Sequence, residues 1–195
     1  MLPIELPLKA KTPAEWVHHP LADFDNFLLD HASCERKAAA LAMSLISKYT
    51  DKKALIEPMV CLAREELEHF HEVWRIISRR GIATNPHDEK DPYVTAILAG
   101  LRHGKDERFL DRLLTSALIE ARGYERFQLI SEALNDPELK DFYKGLSERE
   151  AGHYMIFIRV ARQYYSEKEI AERLDYIADL EAKAMLETPF SWRLH

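Results

Sequence analysis

Twice in this chain a glutamate precedes a histidine by three positions on a stripe that is otherwise apolar. Glu66-Leu-Glu-His69 lies between Leu62 and Val73, and Glu150-Ala-Gly-His153 lies between Leu146 and Phe157. Residues three apart on a helix have Cβ atoms about 5–6 Å from each other, so each pair aims a carboxylate and an imidazole at one spot. Two more glutamates interrupt apolar stripes: Glu35 among Leu28, Ala38, Ala39 and Ala42, and Glu120 among Leu113, Ala117 and Phe127. Burying one unpaired carboxylate costs several kcal/mol. A fold that buries four at one level must set cations between them. The order also repeats: Glu66 follows Glu35 by 31 residues, and Glu150 follows Glu120 by 30. Each of two helical hairpins therefore supplies half of a nearly symmetric site.

The rest of the chain agrees with helices. Apolar residues recur at three and four from Leu21 to about Lys48, and again from about Lys52 to Arg80. Pro58 kinks the second helix or marks its true start, and Gly81 closes it as a C-cap. The connection 82–105 has turn signals at Asn85-Pro86 and Asp91-Pro92, with a short helix from Tyr93 to Leu101 between. A third long helix is expected from about Asp106 to Leu134. Asn135 or Asp136 caps a fourth, with Pro137 at its first position, running to about Tyr165. Ser166 to Glu169 forms a capping box that opens a last helix ending near Leu186. No stretch alternates convincingly enough for a strand, and 6 Gly with 9 Pro is poor punctuation for a β protein. The expected fold is all-α, with two hairpins joined by a long crossover and followed by an extra C-terminal helix. That is the connectivity of a ferritin-like four-helix bundle, read as one domain over 195 residues with an irregular arm at 1–19.

Ligand chemistry narrows the metal. Carboxylates with one imidazole per cation suit iron or manganese, and two such half-sites are the arrangement of carboxylate-bridged di-iron proteins. In that arrangement Glu35 and Glu120 each serve one metal, Glu66 and Glu150 bridge, and His69 and His153 each give one nitrogen. Any one of these glutamates alone reads more simply as a helix-edge residue with a buried stem; the six together do not. His31 and Tyr124, one turn from Glu35 and Glu120, are candidates to steady those carboxylates, with ordinary packing as the alternative. The net charge of −6 argues against a generic nucleic-acid binder, though two divalent cations would cancel four of those negative charges. Cys34 and Cys61 make no disulfide framework and read as small buried side chains. No apolar run is long enough to span a bilayer and no secretory leader is visible, so the expected compartment is the cytoplasm.

The text around these residues is more specific than the motifs. Glu35 in DHASCERKAAALA, Glu66 and His69 in AREELEHFHEVW, Glu120 in ALIEARGYERF, and Glu150 and His153 in SEREAGHYMIF resemble the tRNA 2-methylthio-N6-isopentenyladenosine hydroxylase family over nearly the whole chain. The resemblance implies a di-iron monooxygenase that uses O2 to hydroxylate the isopentenyl side chain of an adenosine next to the tRNA anticodon. It implies two iron ions (Fe2+/Fe3+) held by Glu35, Glu66, His69, Glu120, Glu150 and His153, and no catalytic residue beyond these. An external electron-transfer partner is implied as well, since the sequence has no Gly-rich dinucleotide turn and no cysteine cluster for iron–sulfur. The large bacterial hydrocarbon monooxygenases carry Asp-Glu-x-Arg-His, from which Glu65 to His69 and Arg149 to His153 depart. A ferroxidase or rubrerythrin-like peroxide scavenger would share the six ligands and is the alternative. Contact with the tRNA anticodon stem-loop calls for cations; candidates are Arg75, Arg79, Arg80, Arg102, Lys105, Arg108 and Arg112.

Overall fold

The computed structural model describes residues 6–84 and 90–195. Among the described residues the regular elements are helices, with no strand. The turn expected at Asn85-Pro86 lies outside them. The chain divides into two compact units, His18–Glu89 with Phe190–Leu194, and Met1–Val17 with Lys90–Pro189 and His195.

The first unit is a helical hairpin. A short helix α1 (His18–Ala22) leads into α2 (Phe24–Lys48), which turns back through residues 49–52 into α3 (Lys53–Arg80). The sequence pattern suggested one helix from Leu21, but Asp23 interrupts it at φ −139°, and its carboxylate accepts the Asn26 backbone N–H, capping α2. Pro58 stands inside α3, so the true start is upstream of it. Gly81 ends α3 at φ 66°, a conformation that favours glycine. Phe27, Leu28, Leu45, Leu55, Met59, Leu62, Val73 and Ile77 are buried between the helices. At the open end Arg80 donates to Asp25 across 2.7 Å. Residues 190–194 return to this unit: the Leu194 N–H donates to Asp30 at 2.8 Å, and Leu194 is buried.

The second unit contains α4 (Pro92–Ala99), α5 (Lys105–Ala133), α6 (Pro137–Glu150), α7 (His153–Ala161) and α8 (Glu167–Glu187). Asp136 caps α6 with Pro137 at its first position, and Ser166 with Glu169 forms the expected capping box. The fourth helix expected from the sequence is split in two. Its backbone turns at Ala151 and Gly152, and α7 ends at Ala161 rather than near Tyr165. Gly152, the residue with least helix preference in this stretch, stands at the joint.

α5 is buried on most sides and carries charge inward. Arg122 is fully buried and donates to Glu181 through Nε (2.8 Å) and Nη2 (3.0 Å), to Glu125 and Thr12 through Nη1, and to the Ala10 carbonyl. Glu181 also accepts the Tyr93 hydroxyl at 2.7 Å. Burial pushes Arg122 down, but its bonds to Glu181 outweigh that and raise it above the usual arginine value. The Arg126 guanidinium lies 4.7 Å from the centre of the Trp16 ring, and burial pushes it down to about 10. Asp111, fully buried, takes both Arg102 and Arg173. Burial pushes its carboxyl up, and the hydrogen bonds from Arg173 and Arg102 overcome that and hold it below 3.8.

Candidate metal centre

Each unit holds one half of the expected ligand set. In the hairpin, Glu35 comes from the middle of α2, and Glu66 and His69 from one face of α3. Each offers a ligand atom within 4.8 Å of the other two. All three are nearly inaccessible, at 5%, 1% and 3% exposure. The spacing accounts for the pair on α3, because one turn of unbroken helix puts residue i+3 beside residue i; His69 Nδ1 is 3.7 Å from a Glu66 oxygen. His31, one turn before Glu35 and fully buried, sets its Nε2 2.6 Å from Glu35 Oε1. That contact fixes the direction of the Glu35 carboxylate.

In the second unit, Glu120 comes from α5, Glu150 is the last residue of α6 and His153 the first of α7. Their ligand atoms also lie within 4.8 Å of one another. Glu150 and His153 are buried, and Glu120 is half-buried. The sequence placed Glu150 and His153 on one helix; the structure sets them on either side of the Ala151–Gly152 joint, with His153 Nδ1 still 2.5 Å from Glu150 Oε2. Tyr124 is not drawn inward. Its hydroxyl accepts from Gln128 on the exposed side of α5.

The donor set fits a hard cation in each half. Two carboxylates and one imidazole are what iron or manganese prefers, and a positive ion removes the cost of burying the charge of those that are buried. Other expectations are corrected. Cys34 is half-buried and Cys61 exposed, so neither is the small core residue the sequence suggested. Among the cations expected to meet RNA, Arg80 pairs with Asp25, Arg102 pairs with Asp111, and Arg108 donates to the Arg102 carbonyl. Arg75 is exposed. Among the described residues no helix is long and apolar enough to cross a membrane.

Comparison with known proteins decides the family. The model of the tRNA-(MS[2]IO[6]A)-hydroxylase (MiaE) family matches residues 1–195. The chain belongs to this hydroxylase family. A relative from Pseudomonas putida (strain KT2440), named tRNA 2-(methylsulfanyl)-N(6)-isopentenyladenosine(37) hydroxylase, is 37% identical over 188 residues, 96% of this chain and 91% of that one. A protein of the same name from Salmonella typhimurium is 28% identical over 240 residues, covering 96% and 87%. A solved structure, Protein 43 with aldehyde deformylating oxygenase activity from Synechococcus, superposes with a TM-score of 0.89 at 38% identity, covering 96% of this chain and 94% of that one. The all-α, ferritin-like expectation for the hydroxylase fold is met. The ferritin-like fold and the Glu/His groups together point to iron.

Proposed function

We propose that the two half-sites form one di-iron centre within a single ferritin-like domain, and that the chain is an O2-dependent tRNA hydroxylase. Its substrate is the isopentenyl side chain of 2-methylthio-N6-isopentenyladenosine beside the anticodon. The observation that carries this is the family match over all 195 residues. The ligand geometry within each unit supports it. The ferroxidase or rubrerythrin-like alternative shares the ligands but is not favoured by a family named for tRNA hydroxylation.

When bound, the iron pair supplies the redox chemistry: with O2, two electrons and two protons, one oxygen atom enters a C–H bond and the other leaves as water. An external electron-transfer partner delivers the electrons, and tRNA places the reaction in the cytoplasm. The chain's own residues prepare the site. Glu35, Glu66, His69, Glu120, Glu150 and His153 are the metal ligands. The burial of all but Glu120, which is half-buried, limits the water that can compete for the cations. His31 holds Glu35 in one orientation, as a partner behind a ligand does in metal sites generally. The small residues Ala39, Ala117 and Ala121 are buried within four positions of a ligand in the sequence.

The test is nucleoside analysis of tRNA from cells with and without the gene. The hydroxylated prenyladenosine should vanish in the deletion strain and return with the wild-type gene. Unchanged levels in the deletion strain reject the assignment.

A further inference from the structure

The hairpin carries a groove that the ligand chemistry does not use. It encloses about 250 Å³ and is lined on α2 by residues that include Asn26, Asp30, Arg36 and Lys37, on α3 by Phe70, Trp74 and Ile77, and on the returning segment by Trp192 and Arg193. Its chemistry is unlike that of the rest of an acidic protein. Arg36, Lys37 and Arg193 are cations; Asp30 is the one acid among the described lining residues, and one of its oxygens accepts the Leu194 N–H. Trp74 is 40% exposed, large for an indole in a folded chain. Phe70 stacks behind it, with ring centres 6.2 Å apart and planes 26° from parallel, which stiffens the ring. Trp192 carries the Arg193 guanidinium 5.0 Å from its centre.

Aromatic faces interleaved with cations are what single-stranded nucleic acid requires. Bases stack on the rings, and phosphates meet the cations. An apolar protein partner would have no use for three cations around two indoles. The groove is also correctly placed along the hairpin. Arg36 follows Glu35 and Phe70 follows His69, so the groove starts at the level of the ligands. From there it runs about 15 Å toward Asn26, at a helical rise of ~1.5 Å per residue.

We propose that this groove binds the single-stranded anticodon-loop segment next to the target adenosine, stacking a base on Trp74 and Trp192 and holding phosphates with Arg36, Lys37 and Arg193. The inference rests on the tRNA reading above and adds the surface that recognises the RNA. These are binding residues and none is a metal ligand: Arg36 and Lys37 directly follow Glu35 on α2, Trp74 lies five positions past His69 on α3, and Trp192 and Arg193 lie in the returning segment.

The experiment uses iron-loaded protein and a fluorescently labelled anticodon stem-loop RNA, with anisotropy read across a series of salt concentrations. Trp74→Ala and Trp192→Ala should each weaken binding on the order of tenfold, the worth of one stacked base, and leave the salt slope unchanged. Trp74→Phe should restore most of the affinity, which a loss of folding would not allow. Arg36→Ala with Lys37→Ala should lower the slope of log K against log salt by about 1.4, at ~0.7 per phosphate contact on a single strand. If wild type binds the stem-loop and all these variants bind with its affinity and slope, the groove assignment is wrong and the tRNA reading stands. If wild type fails to bind the stem-loop and its deletion leaves tRNA unchanged, both fall together.

Discussion

Glu181→Ala tests whether the second unit depends on its buried charges. Glu181 is fully buried and accepts three hydrogen bonds, two from Arg122 and one from the Tyr93 hydroxyl. Removing it leaves Arg122 inside the protein with Glu125 as its remaining acid in the network. Each lost bond to a charged group contributes roughly 1.5–3 kcal/mol, partly offset because the Glu181 carboxylate no longer has to be desolvated. Breaking one side of a buried pair costs about 3–5 kcal/mol, and that is the expected loss here. It is a large share of a total stability of about 5–15 kcal/mol. For a chain of this size it corresponds to a fall in melting temperature of roughly 6–20 °C. Urea unfolding followed by far-UV circular dichroism measures it directly. The double variant Glu181→Leu, Arg122→Met should recover at least half of the loss, because no charge is then stranded. A cost below about 1 kcal/mol for Glu181→Ala, or a double variant worse than the sum of the singles, refutes the argument.

Glu66→Ala should drop iron below one per chain by metal analysis, since Glu66 is read as a bridge to both ions; wild-type loading in this variant rejects the ligand set. His31→Ala should leave the fold intact and weaken iron binding about 10–100-fold, by freeing the Glu35 carboxylate; chelator competition gives the ratio. Asp111 has a folded value below 3.8, so its stabilising effect is complete above that pH and is lost as pH falls through the folded value. Asp111→Asn should therefore show a flatter decline in stability than wild type between pH 4 and pH 2, read by urea midpoints at each pH; parallel curves would show that Asp111 does not titrate differently on folding.

Much of the architecture was readable because its signals are local. Gly81, Asp136 with Pro137, and Ser166 with Glu169 end or start helices through atoms within a few residues of themselves. The ligands were readable for a different reason: a carboxylate on an apolar stripe conflicts with the stripe, and the repeated spacing resolves the conflict. What escaped the sequence is non-local. Arg122 and Glu181 are 59 residues apart, and a lone arginine or glutamate on a helix reads as a solvated charge until its partner is known. The ion pairs of Arg80 with Asp25 and of Arg102 with Asp111 were invisible to periodicity for the same reason. The joint at Ala151–Gly152 escaped because the two turns around it are helical by pattern. The groove escaped because Trp192 and Arg193 lie more than a hundred residues from the helices they meet.

That last separation has a consequence for synthesis. A ribosome adding about 5–20 residues per second completes α3 roughly 5–20 s before it reaches Phe190. Throughout that interval the nascent chain already carries Glu35, Glu66 and His69, while Asp30 still waits for the Leu194 N–H 164 positions downstream. A chain interrupted after α8 therefore keeps the metal donors of the hairpin and lacks one wall of its groove. Translation order thus makes the groove's Trp192 wall the finishing step, and incomplete products are denied that surface.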